Sequence, residues 1–157
     1  MTPEHPRGQA PAEAGAVAAE ESFPVVPVGR VESELAERAD APRQGDEGAP
    51  DAWLVFAPAY RAALRDLGPG SDVLLLTWLD RADRARLTVH PRGDASRSEQ
   101  GVFSTRSPDR PNPIGLHRVR ILAVAPDGLR LHVSGLEALD GTPILDVKPV
   151  LGGIAER

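Results

Sequence analysis

Cysteine is missing from the whole 157-residue chain, which removes disulfide frameworks, thiolate metal sites and cysteine nucleophiles together. That absence fits a reducing compartment, and a cytoplasmic setting is the expectation. Long apolar runs are missing as well. No stretch approaches the roughly 20 apolar residues of a membrane span, and the first residues lack the basic-then-apolar pattern of a secretory leader. A soluble chain with no membrane partner is expected. Several motifs are absent too. No glycine-rich turn joins a strand to a helix, so a Rossmann nucleotide site is not expected, and there is no phosphate-binding Walker loop. His5, His90, His117 and His132 lie far apart without the close spacing of a helix-borne zinc site, so no metal is expected. Ser104, Ser107 and His117 match no hydrolase elbow, which argues against covalent catalysis.

The formal net charge is -5. Residues 1–22 hold Glu4, Glu13, Glu20 and Glu21 against Arg7, in a stretch rich in Ala, Pro and Glu with no sustained apolar period. Such a stretch cannot bury enough surface to offset the entropy of ordering it, so 1–22 reads as a disordered tail before a single domain over 23–157. Between Arg81 and Arg120 the sign reverses, with nine arginines facing only Asp83, Asp94, Glu99 and Asp109, a local +5. This zone suits phosphates or an anionic cofactor tail; it equally suits a compositional preference for arginine, since Lys148 is the only lysine.

Along the chain, short strand patterns dominate. "VVPVGRV" ends near Glu32, "AWLVFA" covers 52–57, and "SDVLLLTWLD" (71–80) is nearly continuously apolar, as a strand covered on both faces would be. "RARLTVH" (84–90) alternates like a half-buried strand, and "LHRVRILAV", the turn "APDG" and "LRLHVSGL" form an alternating hairpin over 116–136. Asp140-Gly141 is a tight turn before a last strand containing Ile144, Asp146 and Lys148. "PAYRAALRDLG" reads as a short helix with Pro58 near its start and Gly68 capping its end, and the polar loop after Glu32 has room for one more helical turn. The sum is a mostly β fold, a small β-barrel with one or two short helices.

Residues 101–119, "GVFSTRSPDRPNPIGLHRV", stand apart. Pro108, Pro111 and Pro113 each fix φ and push the preceding residue toward extended backbone, so Ser107 to Ile114 is stiff and not helical. Arg106 and Arg110 are planar donor forks suited to carboxylate, phosphate or base edges, and Asn112 adds an amide. Three readings remain open on these residues alone: a binding rim, a structural loop whose arginines form salt bridges, and a polyproline ligand for another domain.

The same stretch, followed by "LEALDGTPILDVKP", resembles the two signature blocks of the TsaA-like family of S-adenosylmethionine-dependent tRNA methyltransferases, the TrmO family. "PVGRVES" and "APRQG" (41–45) resemble its opening strand and its Pro-Arg-Gln loop, and the likeness runs from about residue 25 to residue 150. The resemblance implies a non-Rossmann β-barrel methyltransferase that binds S-adenosylmethionine. It implies a homodimer acting on tRNA, at the N6 nitrogen of threonylcarbamoyladenosine beside the anticodon. The larger members continue into a C-terminal domain, so a short form is implied here, where the sequence stops at Arg157.

Carried over position by position, the resemblance assigns cofactor binding to Pro42, Arg43 and Gln44, to Arg106, to Leu116, and to Leu139, Asp140, Gly141 and Thr142. Asp80 and Arg81 join this set, standing where family members commonly have a His followed by Gln or Glu. Arg43 and Arg106 suit a methionine carboxylate, and Asp140 suits a ribose or amino group. Arg110 and Asn112 are assigned to substrate. No catalytic residue is assigned, although methylation of an amide-like nitrogen benefits from a proton acceptor. Two alternatives stand beside tRNA methylation: methylation of a small metabolite, and cofactor binding without catalysis.

Overall fold

The computed structural model describes residues 21–43 and 45–152. Six antiparallel strands close into a barrel: β1 (Gly29–Glu32), β2 (Ala52–Phe56), β3 (Asp72–Trp78), β6 (Ile114–Val124), β7 (Arg130–Val133) and β8 (Pro143–Pro149). Their order around the ring is β1-β2-β7-β6-β3-β8, and β8 pairs back to β1 through Ile144 and Gly29. A separate ribbon of β4 (Thr88–Val89) and β5 (Gln100–Gly101) lies outside the ring.

Alternation along each strand fills the barrel with side chains. Leu54, Val73, Leu75, Ile121, Leu131, Val133 and Ile144 are fully buried, with Val31, Phe56 and Val119 beside them. A ring of six strands leaves no room for a ligand once such residues point inward, so any site lies at an end or on the outer wall. The 11-residue β6 serves two partners: Ile114 to Arg120 pair with β3, and a bulge between Ile121 and Ala123 turns the rest onto β7.

Topology then sorts the connections. The β2–β3 and β6–β7 connections are at one end of the barrel. Residues 33–51, 79–113 and 134–142 are at the other, and all the carried-over positions except Leu116 fall in these three segments or at their edges.

Three expectations need correction. The helix over 58–68 is a 3-10 segment, Pro58–Leu64, and Gly68 does not cap it; no α-helix occurs among the described residues. Only Thr88 and Val89 of "RARLTVH" are strand, and Leu87 is 67% exposed, because outside the ring an alternating pattern has no core to face. β3 is buried on one face only: Leu74 and Leu76 point outward and are half-buried, since no helical layer covers the outer wall. The tail expected over 1–22 lies, up to residue 20, outside the described residues; Glu21 and Ser22 are exposed.

Candidate functional site

The three connections are stitched together by specific bonds. After β7 the chain enters Leu139 to Thr142, where Gly141 takes φ +80, a left-handed value that favours glycine. This turn is clasped to β1 and the loop after it. Gly141 N donates to Val31 O at 2.7 Å, Asp140 N to Leu35 O at 2.7 Å, and Ser33 N to Asp140 Oδ1 at 3.0 Å. Thr142 is buried and its hydroxyl donates to Leu139 O at 2.7 Å. Asp140 thus holds Ser33 with one carboxylate oxygen and Leu35 with its backbone N–H, while its residue lines an acid-rimmed hollow with Glu32, Glu34, Asp51 and Trp53.

Arg81 Nη1 donates to Ala36 O at 2.8 Å, and Arg38 returns the contact by donating to Arg81 O at 3.2 Å while pairing with Asp109 at 3.3 Å. This pair of arginines ties residues 33–51 to residues 79–113. Asp80 is exposed and forms no ion pair among the described residues. Pro42 is half-buried; Arg43 is exposed, with Nη2 3.7 Å from where a side chain on Gly93 would begin. Gln44 lies outside the described residues.

Within the proline-stiffened stretch the arginines divide. Arg110 turns back into its own loop, donating to Ser107 O at 2.7 Å, Val102 O at 2.7 Å and Thr105 O at 2.6 Å. Three carbonyls on one guanidinium fix the loop's shape. Asn112 Oδ1 accepts from Arg84 at 3.2 Å. Arg106 is exposed and has no hydrogen-bonding or ionic partner among the described residues, so its donors are available to a ligand.

Leu116 projects from the outer face of β6 and is 46% exposed. It lines an open groove of about 500 Å³ with Gly45, Asp46, His117, Arg118, Ser134, Gly135 and Glu137. Glycine at 45 and 135 is required by close approach. A β-carbon at Gly45 would lie 2.7 Å from Gly135 O, and one at Gly135 would lie 2.9 Å from Ala49 O. The two loops therefore touch through backbone, and the groove opens beside that contact. Asp140 and Leu116 line different concavities of this one chain.

Sequence reasoning missed one cluster. The imidazole of His117, pointing inward from β6, meets the Thr77 hydroxyl at 2.8 Å through Nε2 and the Glu137 carboxylate through Nδ1. Thr77 and His117 are buried, whereas the Glu137 side chain keeps 19% exposure and reaches the groove. The signal was present: alternation along β6 sends His117 inward with Val119 and Ile121, and a buried imidazole needs polar partners.

The family model for the N-terminal domain of tRNA-methyltransferase O matches residues 30–154. The chain belongs to this TrmO family. Among curated relatives, a "Probable S-adenosyl-L-methionine-binding protein" of Methanothermobacter thermautotrophicus is 45% identical over 123 residues, covering 78% of this chain and 86% of the relative. An "S-adenosyl-L-methionine-binding protein" of Archaeoglobus fulgidus is 42% identical over 122 residues, covering 78% and 85%. Among solved structures, TrmO from Pseudomonas aeruginosa superposes with a TM-score of 0.67 at 34% identity, covering 83% of this chain and 57% of that one. The chain thus spans little more than half the length of that TrmO structure. The match at 30–154 includes the groove, the His117 cluster and both signature blocks.

Proposed function

We propose that this chain is an S-adenosylmethionine-dependent methyltransferase, and that its acceptor is the N6 nitrogen of threonylcarbamoyladenosine beside the tRNA anticodon. The observation that carries the reading is the groove beside Leu116: an apolar side chain, two carboxylates and backbone from two glycines, at the edge of the end where the family's signature segments gather. About 500 Å³ is within the range of small-molecule sites.

The donor set fits the cofactor's chemistry. Leu116 offers an apolar surface to an adenosine or thioether portion and the carboxylate of Asp46 offers charge complementarity to a sulfonium or an amino group, while Arg106, which is not among the residues lining the groove, has an unspent fork suited to a carboxylate. The bound cofactor supplies an electrophilic methyl group on a positively charged sulfur. This chain's part is to align an acceptor nitrogen, keep water away and receive a proton. Arg84, Arg86, Arg92 and Arg97, all exposed, supply charge for the RNA phosphates.

The acceptor is tested by incubating the protein with methyl-labelled S-adenosylmethionine and total tRNA from a host lacking this gene. Labelled tRNA is the expected result. Saturable cofactor binding without RNA labelling moves the assignment to a small metabolite or a binding module, and absence of cofactor binding overturns the reading. A homodimer accompanies the proposal: Ile114 is 46% exposed and lies beside outward Trp78 by register, an apolar pair suited to a second copy.

A further inference from the structure

We infer that Glu137 is the proton acceptor of the methyl transfer and that His117 is its positioning residue, an inference that rests on the methyltransferase reading above. The three side chains form a row. Thr77 is fully buried with its hydroxyl oxygen 2.8 Å from His117 Nε2. On the other side of the ring a carboxylate oxygen can only accept, so the imidazole carries a proton on Nδ1 and donates it to Glu137 Oε1. The carboxylate is thereby held by one oxygen against the barrel wall. The other faces the groove: Oε2 lies 3.3 Å from the place where a β-carbon on Gly45 would stand, and it has no hydrogen-bond partner among the described residues. A carboxylate fixed on one side and free on the other suits a nitrogen that must lose a proton.

The balance is simple. The acceptor nitrogen gains its bond to the methyl carbon while the S–CH₃ electron pair stays on sulfur, leaving a neutral thioether, and the N–H proton passes to Glu137 Oε2 and then to solvent. His117 keeps its proton throughout, so it orients the base without being consumed. The titratable and charged groups that share the groove with Glu137 are His117 from β6, Arg118 on the same strand and Asp46 from the loop before β2.

The test measures single-turnover methyl transfer to tRNA across pH, cofactor affinity by calorimetry, and the imidazole nitrogen resonances of the free protein. The wild type is expected to show the Nδ1–H tautomer at His117 and a rate that falls on the acid side as the base is protonated. Glu137→Gln is expected to lower the rate at least about 100-fold, the scale of a lost general base, and to abolish the acid limb, with cofactor affinity within about threefold. Glu137→Asp, which withdraws the oxygen by one methylene, is expected to keep the acid limb at a reduced rate. His117→Gln is expected to shift that limb. An undiminished rate in Glu137→Gln, or a loss of cofactor affinity equal to the loss of rate, overturns the inference alone. Absence of methyl transfer by the wild type overturns the functional reading first and this inference with it.

Discussion

Arg106 and Arg110 sit four residues apart in one stiff loop, yet their surroundings give them opposite expected phenotypes. Arg110 spends three donors on carbonyls of its own loop, so Arg110→Ala should lower unfolding stability by about 2 kcal/mol in urea titration, since hydrogen bonds from a charged group are worth that order each and the loop relaxes around part of the loss. Arg106 is exposed and uncommitted, so Arg106→Ala should leave the unfolding midpoint unchanged and weaken cofactor binding about tenfold by calorimetry, the equivalent of 1.4 kcal/mol. Composition gave both the same chemistry; what separates them is where the chain turns back, which is a matter of three-dimensional packing. Asp72 carries a further expectation at this scale. Its hydrogen bond from Arg120 outweighs desolvation and, with help from Arg118, holds its carboxyl below the usual carboxylate range. The folded-state value lies beneath the unfolded one, so the stabilisation is complete above about pH 4 and disappears as pH falls through the lower value. Asp72→Asn should therefore melt slightly below the wild type at pH 7, with the gap closing in acid and shrinking with salt because the pair is largely solvated.

Among elements, β6 ties core to site. Its inward residues build the barrel from Gly115 to Ile121 while its outward Leu116 and Arg118 border the groove. Gly115 is where the two roles meet: a β-carbon there would lie 2.3 Å from Thr77 Oγ1 and 2.7 Å from His117 Nε2. Gly115→Ala should separate that hydroxyl from the imidazole, cost several kcal/mol of stability measured by denaturant titration, and remove the Nδ1–H tautomer expected at His117. Alternation and turn chemistry made the strands legible in the sequence, because a closed barrel obeys period two wherever one face is buried. The same rule misled over 84–90, where the alternating residues lie outside the ring. It was also silent on the pairing of His117 with Glu137, which are 20 residues apart and meet only because β6 and the segment after β7 share one end of the barrel. The helical pattern over 58–68 tightened to a 3-10 segment between β2 and β3.

For the molecule as a whole, an acidic chain concentrates arginine in the connection between β3 and β6, while residues 33–51 and 134–142 at the same end of the barrel are acidic. Affinity for tRNA should fall steeply with added salt as phosphate contacts are screened, whereas cofactor affinity should change little. The family signature made the fold legible; it did not indicate that Asp140 and Leu116 line separate hollows, because sequence blocks carry no information on which face each residue presents. The most direct test of the account is a crystal structure of the protein with S-adenosylhomocysteine. That molecule is expected in the groove between Gly45, Leu116, Gly135 and Glu137, and finding it instead in the acid-rimmed hollow of Glu32, Asp51 and Asp140 would contradict the proposed site.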